Sequence, residues 1–345
     1  MSWGIERVVV LLLIAGIVSM LVRKLRLPYA VGLVLAGIGL AFSPLKIEMA
    51  LTRELVFMAL LPPLLFEAAF HVEWRAFRKD LAVIVVLATF GVLLSLGVTA
   101  FGATKLFGWH PALALLLGVL LSATDPVAVL ATFKEINVSE RLRLLVDAES
   151  LLNDGTVAVL FVIAMAGIQG EMLTPLSITG SFVFTVLGGI VCGSLVAGAV
   201  LGLAGQTDDH LVEITFTTIA AYGSFLLAEY FHFSGVLATL TAGVILGNFG
   251  DIGAFSDKGR EAVVSFWEFM GFVANSIIFL LMGVQLTQQN LHAFWYPILM
   301  VILLTTFGRA LTVYVSCGLF AKSRLRVATA HQHVLFWGGL RGALS

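Results

Sequence analysis

Four carboxylates and two guanidiniums, Glu67, Asp125, Glu149 and Asp154 with Arg309 and Arg341, stand inside long apolar runs. An ionised group at the centre of a bilayer is costly, so such residues pair with one another, line water-filled cavities or carry ions. A structural salt-bridge network accounts for any one of them taken singly, but the whole cluster reads as a site. Asp147, Glu213 and Glu229 lie nearer the ends of their runs.

Spacing sharpens this reading. In Ala148-Glu149-Ser150-Leu151-Leu152-Asn153-Asp154-Gly155, Glu149 stacks on Asn153 and Ser150 on Asp154, each pair four apart on a helix. The two stripes are about 100° apart, so Ser150 and Asp154 can face a cavity while Glu149 and Asn153 face a neighbouring helix. Asp147 precedes Asp154 by two turns and is placed at an entrance. In Ser122-Ala123-Thr124-Asp125-Pro126, Pro126 lacks an N–H, which leaves the Ser122 carbonyl without its helical donor and predicts a break. A broken helix at mid-membrane is tolerated where it lines a cavity, and its freed carbonyls and helix ends bind cations in transporters. Thr124 and Asp125 would add oxygens. Gly338-Gly339-Leu340-Arg341-Gly342 is a second breakable stretch, with one cation.

The elements that must position these groups follow from composition. Of 345 residues, 59% are apolar and 12% charged, against about 25% charged in soluble domains; the mean hydropathy is +1.03. That excludes a soluble enzyme or a nucleic-acid binder. The net charge is −1, without a basic tail. Cys192 and Cys317 sit within apolar runs and offer neither a disulfide framework nor a metal cluster. Charged punctuation divides the chain into apolar segments near 4–22, 28–43, 54–70, 80–105, 111–132, 143–169, 180–205, 210–231, 234–249, 262–286, 292–320 and 327–345. The runs are continuous rather than alternating, so they are helices and not barrel strands. The expected fold is an all-α polytopic membrane protein with about twelve transmembrane helices.

Lys and Arg gather after odd-numbered segments, at 23–26, 75–79, 134–143, 258–260 and 322–326, which puts the amino terminus outside. No small-residue cleavage site precedes Arg23, so the first segment reads as a retained signal anchor. The fifth and twelfth segments are seven apart and therefore run in opposite directions, as an inverted repeat requires. Two broken helices crossing at the midplane would point dipole ends at each other, with Asp125 compensating the positive ends and Arg341 the negative ones.

At these residues the chain resembles the monovalent cation:proton antiporters of the NhaP and eukaryotic sodium/proton exchanger type. The resemblance rests on Leu27-Pro28-Tyr29, Thr124-Asp125-Pro126, Glu149 to Gly155, and Gly308-Arg309 with Gly338 to Gly342. It implies a homodimer in which a core, about 80–169 and 292–345, carries two crossed broken helices and moves against scaffold helices, about 1–70 and 180–286. It implies Asp154 as the exchange carboxylate, with Asp125, Thr124 and Ser150 as sodium ligands. Glu149 is the partner of Arg309; Asn153, Arg341 and Pro126 are structural or charge-compensating. Glu67 matches an acid that lines the ion site in some members. Thirteen helices are expected of the family, so the chain resembles a member without its last helix.

The implied function is antiport of sodium or lithium for protons across the plasma membrane, serving pH and sodium homeostasis, with no enzyme activity and no cofactor. Asn153 before Asp154, in place of a second acid, implies electroneutral exchange. The alternative is potassium/proton antiport on the same scaffold. An intramembrane aspartyl protease would need a Gly-x-Gly-Asp sequence that the chain lacks, and a cation channel would need repeated filter loops.

Overall fold

Small polar residues, prolines and glycines set the helix ends. The computed structural model describes residues 5–25, 27–43, 52, 54–124, 133, 138–170, 174–250, 255–289 and 294–339. These hold twelve helical stretches: α1 (Ile5–Leu25), α2 (Tyr29–Ala41), α3 (Leu55–Phe70), α4 (Trp74–Phe107), α5 (Pro111–Leu120), α6 (Glu140–Ile168), α7 (Pro175–Ala204), α8 (His210–Tyr230), α9 (Gly235–Phe249), α10 (Asp257–Leu286), α11 (Trp295–Leu319) and α12 (Thr329–Trp337). No strand occurs among the described residues. Six helices, α4, α6, α7, α8, α10 and α11, are long and apolar enough to cross a membrane by length and composition.

Helix starts satisfy their orphan N–H groups with side chains. Thr174 and Ser177 form a reciprocal capping box on α7, and Asp209, Ser234 and Ser256 cap α8, α9 and α10. Gly108 ends α4 in the left-handed region at φ 67°, and Pro111 opens α5. Glu213 of α8 is fully buried and accepts the Ser256 N–H at the start of α10, where the helix dipole favours a carboxylate.

Several boundaries differ from expectation. Helix α4 starts at Trp74 rather than 80, so Arg75, Arg78 and Lys79 ride its first turns. Helix α10 starts at Asp257, and the polar stretch 256–268 is its beginning. Long basic side chains reach interfacial water from such positions, which lets a helix extend beyond its apolar run. Helix α5 stops at Leu120; Asp125, Pro126 and the rest of the run to 132 lie outside the described residues. Helix α12 ends at Trp337, and Leu340, Arg341 and Gly342 likewise lie outside. At about 1.5 Å per residue, α5 and α12 are each about 15 Å long, half of a hydrocarbon core of about 30 Å.

Apolar packing gathers the helices into two groups. One buried cluster joins α4, α6, α11 and α12 through Val83, Ile84, Leu145, Val313 and Leu335, and another joins α4, α5 and α6 through Leu96, Val119 and Val157. On the other side α1, α2 and α10 share Leu11, Leu33 and Leu280, while α3, α7, α8, α9 and α10 share Phe66, Ala197, Ala220, Leu246 and Trp267. Small residues allow close approach: a Cβ on Gly193 of α7 would fall 2.2 Å from the Ala238 carbonyl of α9. Gly188 and Gly189 are equally crowded, but Gly198 and Gly202 have nothing within 4 Å. Close packing at glycine therefore holds for the first half of this series. In α4, the π-turn Leu87–Gly91 presents the Gly91 carbonyl to the Thr312 hydroxyl of α11 at 2.6 Å. A Cβ on Gly91 would meet the Thr312 methyl at 2.4 Å.

Candidate functional site

One turn of α6 meets the ends of both half-length helices. Glu149, Ser150 and Asn153 are 2%, 3% and 1% exposed, so their polar atoms depend on protein partners. Two helices supply them.

Towards α5, Asn153 Nδ2 donates to the Ser122 carbonyl at 3.0 Å and to Thr124 Oγ1 at 3.1 Å. The Ser150 hydroxyl donates to the Thr124 carbonyl. Ser122 O, the carbonyl that Pro126 was expected to orphan, thus finds its donor on a neighbouring helix. The Ser122 hydroxyl bonds back to Gly118 O at 2.6 Å and tightens the last turn. Asn153 Oδ1 is buried without a hydrogen-bond partner among the described residues.

Towards α12, Glu149 meets Arg309 of α11 in a fork, Nη1 to Oε1 at 2.7 Å and Nη2 to Oε2 at 3.1 Å. Nη2 also donates to the Leu335 carbonyl at 2.8 Å. Leu335 lies in the last turn of α12, where carbonyls lack helical donors and the dipole is negative. Arg309 therefore brings a cation to this negative helix end; Arg341, to which the sequence reading gave that role, lies outside the described residues. Gly339 leaves room for it, since a Cβ there would stand 2.1 Å from Arg309 Nε. Arg309 is 5% exposed, and its charge is neutralised by Glu149.

Asp154 follows on the same helix, half-buried and one turn beyond Ser150. Gly155 next to it packs on Leu237 of α9, where a Cβ would lie 2.4 Å from the leucine methyl. Ser150 is turned to the Thr124 backbone, so Ser150 and Asn153, one from each polar stripe of α6, meet the same end of α5. The hydroxyl gives its proton to a carbonyl, which leaves its lone pairs free to accept or coordinate. Glu67 sits on α3, half-buried against Gly271 of α10, with Oε1 3.7 Å from His71 Nδ1. Asp125, Pro126 and Arg341 lie outside the described residues. Among the described residues no cluster of three or more His, Cys, Asp or Glu is arranged to hold a metal.

Three connections escaped sequence reading. Asn248 of α9 accepts the Trp74 N–H at 2.7 Å and donates to Val72 O at 2.7 Å, pinning the turn between α3 and α4. Arg141 of α6 forks onto Asp80 of α4, with Nη2 to Oδ1 at 2.7 Å, and donates to the carbonyls of Leu325 and Arg326 before α12. Tyr29 of α2 bonds Ser276 of α10 at 2.8 Å. A single Asn in an apolar run is a signal, but Asp80 stood at the first position of a segment and Arg141 between two segments.

A family model described as "Sodium/hydrogen exchanger, transmembrane" matches residues 9–345. The Na(+)/H(+) antiporter ApNhaP of Aphanothece halophytica is 38% identical over 327 residues, covering 93% of this chain and 62% of the relative. The low-affinity Na(+)/H(+) antiporter NhaS1 of Synechocystis is 35% identical over 354 residues, covering 100% of this chain and 67% of the relative. The chain thus spans about two thirds of the length of these curated relatives. The fold is that of the sodium proton antiporter MjNhaP1 from Methanocaldococcus jannaschii at pH 8, with a TM-score of 0.81 at 22% identity over 99% of this chain and 83% of that one. By the family match over nearly its whole length, this chain belongs to the sodium/hydrogen exchanger family.

Proposed function

We propose that the chain exchanges sodium for protons across a membrane without net charge movement, with Asp154 as the carboxylate that holds one or the other. The observation that carries this reading is the turn Glu149–Asn153 of α6, which ties together the ends of two half-length helices and delivers Asp154 directly after them. Membership in an exchanger family agrees, and the names of the relatives favour sodium over potassium.

The chemistry needs a group that binds a proton or a partly dehydrated cation but never both, so that each displaces the other. Glu149 is ill suited to that task because Arg309 already neutralises it. Asp154 is the acid on the same face as Ser150. Thr124 and Ser150 supply hard oxygen ligands of the kind that suit sodium, at the carbonyl end of α5, where the dipole also favours a cation. Asp125, next to Thr124, adds a second carboxylate to the set, and Glu67 lines the approach from α3. Asn153 holds the end of α5 in place while adding no charge.

Access alternates by movement of one bundle around this site. The core is made of α4–α6 with α11–α12, about 80–169 and 292–345. The scaffold comprises α1–α3 and α7–α10, about 1–70 and 180–286, and carries the homodimer contact. The buried residues of the larger apolar clusters support this division, while a smaller cluster, in which Val159 of α6 packs with Leu61, Phe225 and Leu240, joins the two bundles. The two half-length helices α5 and α12 correspond to the crossed pair of an inverted repeat, in a chain with about twelve crossings whose amino terminus lies outside a plasma membrane.

The test is proton release from acid-loaded inside-out vesicles containing the full-length protein, on addition of sodium, lithium or potassium. Sodium should drive release in the wild type and not in Asp154→Asn at equal expression. Sodium-driven release that persists in Asp154→Asn removes the assignment of the carboxylate. A potassium response exceeding that of sodium removes the assignment of the cation.

A further inference from the structure

Between the two packed groups lies a cavity of about 550 Å³, walled by α4 and α6 on one side and α7 and α9 on the other. Apart from Trp74, the polar side chains lining it are Thr89, Thr156, Ser194 and Thr241. Each of those hydroxyls donates to the carbonyl four residues back in its own helix, at 2.6, 2.9, 2.8 and 2.7 Å respectively. The donors are therefore spent. A water needs two to four polar partners to stay in such a space, and a cation needs several oxygens. The hydroxyl oxygens keep acceptor lone pairs, but they are spread one to a helix over four helices in a lining that is otherwise apolar apart from Trp74. The cavity is distinct in character from the polar turn of α6 and is built to be filled by hydrocarbon.

Its rim supplies a charge. Trp74, Phe77, Leu81 and Val85 line the cavity from α4. Arg78 is four residues from Trp74, about 40° round the helix, at the edge of that apolar stripe. It is exposed, and neither it nor Arg75 nor Lys79 forms an ion pair among the described residues. Trp74 sits at the same level, as aromatic side chains do at a membrane interface. The turn is held rigid by Asn248.

We propose that this cavity is a binding site for an anionic phospholipid, with one acyl chain lying between α4/α6 and α7/α9 and the phosphate on Arg78. The chain fills a space that would otherwise leave its walls without van der Waals partners. The headgroup meets cations in a surface layer where each adds to the affinity. An occupant there separates the two helix groups and so acts on any sliding between them. That consequence rests on the exchange reading, whereas the binding itself does not.

Binding is read by native mass spectrometry of the purified full-length protein, titrated with phosphatidylglycerol or phosphatidylcholine of identical acyl chains. One phosphatidylglycerol per chain should be retained in preference to phosphatidylcholine. Arg78→Gln, an exposed substitution, should weaken phosphatidylglycerol by about fivefold and remove the preference. Val186→Trp fills the cavity and should abolish retention of both lipids. Equal retention of the two lipids by the wild type overturns the proposal, and so does unchanged retention in a Val186→Trp protein that melts like the wild type. If Asp154→Asn shows that the exchange assignment fails while the lipid preference persists, the lipid site stands alone.

Discussion

Replacing Arg309 by Met tests whether the fork with Glu149 holds the site together. The substitution keeps an apolar stem of similar reach but removes the charge, both bonds to Glu149 and the donor to Leu335 O. Glu149, 2% exposed, is left as a buried carboxylate without its counter-charge. Breaking a buried pair on one side costs about 3–5 kcal/mol. Unfolding entropy of about 2.1 cal/mol/K per residue gives about 0.7 kcal/mol/K for a chain of this length, so the loss corresponds to a fall of about 4–7 °C in Tm. Helices that stay folded in detergent make the real entropy smaller and the fall larger. The assay is fluorescence-detected melting in one detergent at pH 7, with Glu149→Gln/Arg309→Met alongside. Removing both charges should restore most of the loss, because the penalty lies in the unpaired charge. A single variant within 1 °C of wild type, or a double variant no better than the single, would refute the reasoning.

Three further outcomes follow from contacts elsewhere. Asn153→Ala strips Ser122 O and Thr124 Oγ1 of a donor, and should cost about 1–3 kcal/mol and weaken sodium-driven proton release; full exchange at wild-type Tm would count against its role in holding α5. Asp80→Asn weakens the fork to Arg141, whose side chain is 37% exposed; solvent screening keeps the loss to about 1 kcal/mol or less, and a Tm drop above several degrees would show that more depends on it. Gly37→Leu on α2 should separate α2 from α10, since even a Cβ would lie 2.2 Å from the Leu280 carbonyl; unimpaired expression and melting would contradict that approach.

The apolar runs made the helices legible, because a backbone in lipid has few alternatives. Each of the twelve segments overlaps a helix among the described residues, while the ends shifted where basic side chains extended a helix, as at Trp74 and Asp257. The polar turn of α6 was legible from four-residue spacing. What spacing could not give was the partner of each group. The sequence left Ser150 facing a cavity, whereas packing sets it on Thr124, and spacing gave no sign that Arg309 also reaches Leu335. The fork of Arg141 with Asp80 joins residues far apart in sequence that periodicity treats as unrelated.

The proposed exchange is electroneutral on a charge count around α6. Glu149 and Arg309 cancel within one fork, and Asn153 places a neutral amide where an acid would add a second titratable charge. Between Glu149 and the end of α6 at Ile168, Asp154 is the acid that remains beside Glu149. A carboxylate that alternates between a proton and a sodium ion has the same net charge in both loaded states, so the moving unit would cross with no charge difference between its two directions. An Asn153→Asp substitution adds a carboxylate that the fork cannot neutralise. It should make proton release in vesicles depend on an imposed potassium–valinomycin potential, whereas release by the wild type should be indifferent to it. Potential-dependent exchange in the wild type would place a second variable charge in the site and end the single-carboxylate account.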